Sequence, residues 1–269
     1  MAMRTLHVGD DGWPLMGEVL GRGELIIMLH GGGPDHYSMR PLADRLAGRY
    51  CVALPDIRGY GASRCPDPTL HRWDQYVTDT IAIMHALDAT STHLVGAGLG
   101  GTIALRTCLQ HPQLTRSAVV ISAEAIEDDQ DKAADAELMD RFADRARSRG
   151  LQAAWELFFP HLQPLIVNLV TEALPRTDAQ SAAAAAAIGH DRAFAVVEEL
   201  RRIDTPTLII AGDDPRHPTQ LARTLADVLP HGVLAEATMS DRLVAADDLA
   251  HAFGPEIELF LATTLDPDT

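Results

Sequence analysis

The chain has 269 residues, 46% hydrophobic and 22% charged, a globular composition that excludes a disordered, fibrous or low-complexity protein. Its 22 basic against 38 acidic residues leave a formal net charge of −16, which repels phosphate backbones and anionic lipids, so neither nucleic acid nor a membrane is an expected partner. Cys51, Cys65 and Cys108 are too few and too scattered for a disulfide framework or a zinc site. The stretch from Met1 to Leu15 lacks an apolar core of signal-peptide length. No apolar run approaches the roughly 20 residues a bilayer span requires, and the expected location is the cytoplasm.

Short apolar runs alternate with helix-period stretches, the pattern of a mostly parallel sheet covered by helices. Strands are expected over residues 4–8, 15–20 and 24–29, the last carrying an apolar LIIML run suited to a central strand buried on both faces. Residues 41–47 read as a short helix, 50–55 as a strand, and 73–87 as a helix with Tyr76, Ile81, Ile83, Met84 and Leu87 on its apolar stripe. A strand over 92–95 leads through a glycine-rich turn into a helix that ends near His111 and Pro112, and 117–122 is another buried strand. From 124 to 202 the pattern is helical only, including an alanine-rich tract over 182–187. Strands resume over 206–211 and 232–237 with a helix over 219–228 between them, and a last helix over 248–265 should be kinked or divided by Gly254-Pro255. With no repeats and no flexible linker, this reads as one core (1–123 and 203–269) with an inserted helical lid (124–202).

Four segments fall at the ends of these strands. They are His30-Gly31-Gly32-Gly33-Pro34, Asp56-Ile57-Arg58-Gly59-Tyr60-Gly61-Ala62-Ser63, Gly96-Ala97-Gly98-Leu99-Gly100-Gly101 and Asp214-Pro215-Arg216-His217-Pro218. In this order and strand context the chain resembles the α/β-hydrolase superfamily over nearly its whole length. The segments are similar to its HGGGP oxyanion loop, its D-x-R-G-x-G-x-S segment, its nucleophile elbow G-x-S-x-G-G and the D-P-x-x-P of its triad acid. The resemblance implies an α/β-hydrolase fold, with a mostly parallel eight-stranded sheet, helices on both faces and a helical cap. The HGGGP loop most resembles that of the C–C bond hydrolase and prolyl-iminopeptidase-like branch.

Two triad positions depart from the family pattern. The elbow residue is Gly98, which accepts a strained positive φ without penalty but has no atom that can attack a carbonyl. Where the family carries its histidine, after the last strand, this chain has Arg242, a permanently charged group that cannot serve as a base. His251 is nearby in sequence but falls inside the last helix. The resemblance therefore implies an elbow that survives without its Ser-His pair.

Asp214 and Arg242 are expected to face each other. Either the guanidinium binds a substrate carboxylate, enolate or phenolate with Asp214 orienting it, or the two form a structural ion pair in a vacated site. Backbone amides of Gly32 or Gly33 and of Leu99, around Gly98, form a candidate cradle for a developing enolate, unless Gly31 to Gly33 merely make a tight loop. Glu124, at the carboxyl edge of the sheet, is a candidate base or a solvated residue at the start of the lid. His36 is a candidate general acid or base at the pocket mouth, or a surface-loop histidine. Trp155 and His190 are candidates to line the pocket from the lid. His111 reads as a helix cap, Asp56 and Arg58 as internal loop contacts, and Glu127-Asp128-Asp129 as a solvated face.

The glycines over 96–101 do not fit G-x-G-x-x-G, and no cluster has metal-ligand spacing, so neither a cofactor nor a metal is expected. The family analogy points to cofactor-free, non-hydrolytic chemistry (cyclisation, elimination, isomerisation or C–C bond reaction through an enolate). The expected substrate is a hydrophobic carbonyl compound, polyketide-like or aromatic, of secondary metabolism. Two alternatives stay open: a catalytically silent ligand-binding or scaffold protein, and a hydrolase in which Glu124 or His36 activates water. A homodimer is also left open.

Overall fold

A computed structural model describes residues 4–9, 11–124, 126 and 129–264. Eight strands form one sheet in the order β1-β2-β4-β3-β5-β6-β7-β8. They are β1 (Arg4–Val8), β2 (Pro14–Gly21), β3 (Leu25–Leu29), β4 (Cys51–Pro55), β5 (Thr92–Ala97), β6 (Thr115–Ile121), β7 (Thr207–Ala211) and β8 (Gly232–Thr238). The β1–β2 and β2–β4 pairs are antiparallel and the remaining five are parallel. The strands expected from the apolar runs are the strands observed, with ends shifted by at most two residues. β5 reaches Ala97 because Gly96 and Ala97 continue the ladder opposite Val120 and Ile121.

Alternation along the strands divides the interior in two. Ile27, Leu29, Leu94, Val120 and Ile209 face one core, against α2 (Trp73–Ala86), α3 (Leu99–Gln110) and α8 (Thr219–Val228). Ile26, Met28, Val95, Val119 and Ile210 face the other, against α1 (Arg40–Leu46) and α9 (Ala246–Thr263). β3 and β7 are buried at every position, as strands covered on both faces must be. Each such Leu or Ile contributes about 1.5–3 kcal/mol by leaving water, which fixes the strand ends that carry the site.

Between β6 and β7 the described residues form α4 (Asp129–Arg149), α5 (Leu151–Trp155), α6 (Pro164–Ala173) and α7 (Ala179–Ala185), with short 3-10 turns and no strand among them. Phe142, Ala146, Leu151, Phe158, Ala182 and Ala186 build a third, separate core here, the small alanines letting α7 approach α4 closely. Glu127 and Asp128 lie outside the described residues, and Asp129 pairs with Arg192 at 2.8 Å.

Gly254-Pro255 does not divide the last helix: α9 runs through it, because Leu249, Phe253, Ile257 and Leu261, spaced four apart, bury one face against the sheet. The last residue expected in that helix, Leu265, lies outside the described residues. No helix among the described residues is long and apolar enough to cross a membrane.

Candidate functional site

β5 enters α3 through Gly98, whose φ of 48° and ψ of −115° make the sharp elbow. Its N–H donates to the Ile121 carbonyl at 2.9 Å, which ties the turn to the neighbouring strand. Leu99 is the first residue of α3, so its N–H has no partner within the helix and sits at the positive end of the helix dipole. The glycine loop after β3 lies against this turn: a Cβ on Gly98 would stand 3.9 Å from the Gly31 Cα, and one on Gly32 would stand 3.9 Å from the Leu99 Cβ. Gly32, Gly33, Gly98 and Leu99 thus line one cavity of about 570 Å³, whose walls include Phe142, Trp155, Phe158, Leu165 and Leu169 from the helical segment. Trp155 closes it tightly over Gly33, where a Cβ would fall 2.4 Å from the indole ring.

Sequence reasoning missed the central side chain of this cavity. Asp214-Pro215-Arg216-His217 forms a β-turn in which the His217 N–H donates to the Asp214 carbonyl at 3.0 Å. The Asp214 Oδ1 accepts the Arg216 and His217 backbone N–H groups at 2.9 and 3.0 Å, the Asx-turn arrangement. The same oxygen is 2.9 Å from His217 Nδ1. A proton on Nδ1 donated to this carboxylate leaves Nε2 with its lone pair free. That Nε2 stands 3.5 Å from the position a Cβ on Gly98 would take. Burial alone would push the Asp214 carboxyl up, but its bonds to the His217 ring and to the turn amides outweigh this and hold it below the usual carboxylate range.

This geometry corrects the expected Asp214–Arg242 pair. Asp214 faces His217, while Arg242 is exposed and does not line the cavity. Met239, buried in the core, and the Asp248 carboxylate, which accepts the Val244 and Ala245 N–H groups, set the path of the β8–α9 connection and leave Arg242 outward. The expected loss of the imidazole is corrected with it, because a different loop supplies one. His251 is exposed on α9 and bonds the Asp247 carbonyl at 2.7 Å, away from the cavity.

Glu124 lines the cavity, its Oε1 3.8 Å from the Cβ position on Gly98. Desolvation pushes its carboxyl above the usual range, against the pull of Arg216 and His217. Arg216 bonds Asp135 at 3.1 Å and lies over the Phe158 ring. Tyr60 also lines the cavity, its hydroxyl 3.8 Å from a Cβ on Gly32, and burial raises its phenol well above the ordinary value.

His36 is neither at the pocket mouth nor on the surface. It is buried with its Nδ1 2.7 Å from Asp56, whose carboxylate also accepts the His36 and Ala62 N–H groups, so it braces two loops from beneath. Arg58 is likewise internal, held by Asp79 and Asp11. His190 does not reach the cavity: Gly189 packs onto Met139, and the imidazole turns outward to Asp140 at 2.8 Å. His111 ends α3 as its C-terminal cap. Among the described residues no group of three or more His, Cys, Asp or Glu side chains could hold a metal ion.

Comparison with known proteins agrees with this architecture. A stretch of 106 residues is 38% identical to a pimeloyl-[acyl-carrier protein] methyl ester esterase of Chromobacterium violaceum, covering 39% of each chain. Another of 125 residues is 30% identical to a 2-hydroxymuconate semialdehyde hydrolase of Pseudomonas sp. (strain CF600), covering 45% of this chain and 40% of that one. The chain thus spans about two fifths of the length of these curated relatives. Among solved structures, a thermophilic esterase from Thermogutta terrifontis superposes with a TM-score of 0.83 over 98% of this chain and 99% of its own, at 19% identity. The enol-lactonase from Burkholderia xenovorans LB400 gives a TM-score of 0.76 over 94% and 98%, also at 19% identity. At such identities these two show a shared fold. A family model described as the alpha/beta hydrolase family matches residues 26–256, and the chain belongs to that family.

Proposed function

We propose that the protein is a cofactor-independent enzyme in which the Asp214–His217 pair acts as a general base on a hydrophobic carbonyl compound, without a covalent acyl-enzyme. The observation that carries this reading is His217 Nε2, oriented by Asp214 and aimed at an elbow that has no side chain of its own. An imidazole so placed has no enzyme hydroxyl to deprotonate at Gly98, so the proton it takes comes from the substrate or from water. In the first case Nε2 removes a proton next to the carbonyl, and the electron pair moves onto the carbonyl oxygen. The Leu99 N–H and the glycine-loop amides stabilise the resulting enolate. Glu124, whose carboxyl desolvation raises above its ordinary value, returns a proton at another atom, which makes isomerisation, elimination or cyclisation accessible. The helices of residues 124–202 act as a lid whose aromatic wall, Trp155 and Phe158 among it, receives the apolar part of the substrate. A cytoplasmic role in secondary metabolism fits this reading.

A second reading has two observations in its favour: His217 Nε2 and Glu124 Oε1 flank the space beside Gly98 in which a water would be activated, and the named relatives are esterases and hydrolases. There His217 would deprotonate that water for direct attack on an ester or ketone.

The two separate in one experiment. In D2O, a panel of aryl ketones and diketones is followed for deuterium uptake beside the carbonyl, and p-nitrophenyl butyrate for hydrolysis, with wild type and His217→Gln. Exchange that His217→Gln abolishes supports the first reading, and hydrolysis that it abolishes supports the second. If wild type catalyses neither reaction, the general-base reading fails.

A further inference from the structure

Ser122 has no role in the site described so far. Among the described residues only two non-glycine residues have left-handed backbones, Asp88 with φ 57° and Ser122 with φ 52°. Asp88 closes the end of α2, an ordinary place for an aspartate in that conformation. Ser122 has no helix to end. It follows the last residue of β6, its N–H bonded to the Ile210 carbonyl of β7, and it lines the cavity. Ala97 is the last residue paired with Ile121, and the Gly98 N–H bonds the Ile121 carbonyl at 2.9 Å, so Ser122 directly follows the residue to which the elbow is tied. It therefore sits between the elbow and the β7 end from which the Asp214–His217 turn departs.

A second, independent observation concerns its side chain. The Ser122 Oγ is shielded from water and has no hydrogen-bond partner, although the residue is only 4% exposed. A buried hydroxyl without a partner is unfavourable, and a left-handed serine is strained where glycine would not be. A rotation about its Cα–Cβ bond carries Oγ among three staggered positions, and since the residue lines the cavity a bound ligand would supply the missing partner.

We infer that Ser122 is a substrate-binding residue whose hydroxyl bonds a second oxygen of the substrate, next to the oxygen held by the amides at the elbow. This rests on the general-base reading above and narrows its substrate class. A compound that bridges both positions carries two oxygens separated by a short carbon spacer, as in a β-diketone. The removed proton then lies between two carbonyls, where the charge of the enolate spreads over both oxygens, one on the Leu99 amide and one on Ser122. No covalent bond to the enzyme is involved.

The test compares benzoylacetone with butyrophenone, which lacks the second carbonyl oxygen, by quenching of tryptophan fluorescence, since Trp155 and Trp73 line the cavity. Ser122→Gly removes the hydroxyl and suits the left-handed backbone, so the variant folds. It should bind benzoylacetone about tenfold more weakly, the value of one lost hydrogen bond, and butyrophenone unchanged. Ser122→Asn, tolerant of the same backbone and still polar, should keep part of the difference. Equal affinity of wild type and Ser122→Gly for benzoylacetone overturns the inference, and so does covalent labelling of Ser122 by a fluorophosphonate, which would make it a nucleophile. If deuterium exchange still depends on His217 in those cases, the general-base reading stands alone. If wild type neither binds nor exchanges either ketone, both fall.

Discussion

His217 Nε2 is the nearest heavy atom, at 3.5 Å, to the position a Cβ on Gly98 would occupy, outside Gly98 and its chain neighbours. That separation is an ordinary van der Waals contact, so the elbow has room for a side chain and a base already faces it. What the site lacks is the hydroxyl, and its geometry is otherwise that of an activated nucleophile.

Gly98→Ser should therefore create an esterase in one step. The introduced side chain must adopt φ near 48°, at a cost of about 1–3 kcal/mol, so the melting temperature should fall by several degrees. Hydrolysis of p-nitrophenyl butyrate should rise at least about a hundredfold over wild type, and a fluorophosphonate should label position 98. A folded variant that hydrolyses no faster than wild type means that His217 does not address the elbow as the geometry requires.

Asp214→Asn tests the other end of the pair. An asparagine can present its amide to Nδ1 and hold the wrong tautomer, so turnover in any assay that depends on His217 should drop by about 10²–10⁴ while the fold persists. The pH dependence follows from the depressed Asp214 carboxyl. A carboxyl with a lowered folded-state value stabilises the protein above the ordinary carboxylate range, and that stability is lost as pH falls through the lowered value. Thermal melts of wild type should show this acid loss, and those of Asp214→Asn should show less of it.

The reach of the sequence shows in this same pair. The buried strands were legible because parallel strands covered on both faces are nearly continuous apolar runs, as in LIIML of β3 and TLIIA of β7. The elbow was legible because glycines mark the turn between β5 and α3. His217 was not, because the family pattern directs attention to the connection after β8, and the distance between His217 and Gly98 is set by the packing of β5 against β6 and β7. One local signal was present: Asp followed by Pro favours a tight turn, and such a turn places the first and fourth side chains together. Pairing Arg242 with Asp214 assumed a route for the β8–α9 connection that Met239 and Asp248 do not allow. His36 carried no burial signal, since its neighbours on the glycine loop read equally well as surface.

Arg242→Ala should change neither the activity nor the fold. The side chain is exposed and off the cavity, and substitutions at such positions usually stay within about 0.5 kcal/mol. Kinetics and melts indistinguishable from wild type are expected. A loss of turnover beyond about tenfold would restore Arg242 to the site and contradict the placement of the β8–α9 connection.

Glu124→Gln separates stability from chemistry at the remaining acid. Desolvation raises the Glu124 carboxyl above its ordinary value, so ionising it costs the folded protein more than the unfolded chain. The contribution of this group is fully present below the unfolded value and is lost as pH rises through the raised one. Replacing it by a neutral amide of the same shape removes that loss. Glu124→Gln should melt higher than wild type at neutral and alkaline pH, by about 2 °C for each ~1 kcal/mol in a chain of this size, with the gap closing as the medium is acidified. The same variant should lose proton return and with it turnover, by about 10²-fold or more, because an amide has no acidic proton to give. Higher stability together with lower activity would mark Glu124 as a group whose desolvation serves its chemistry. A variant that is stabilised and fully active would leave Glu124 a bystander and put both proton transfers on His217.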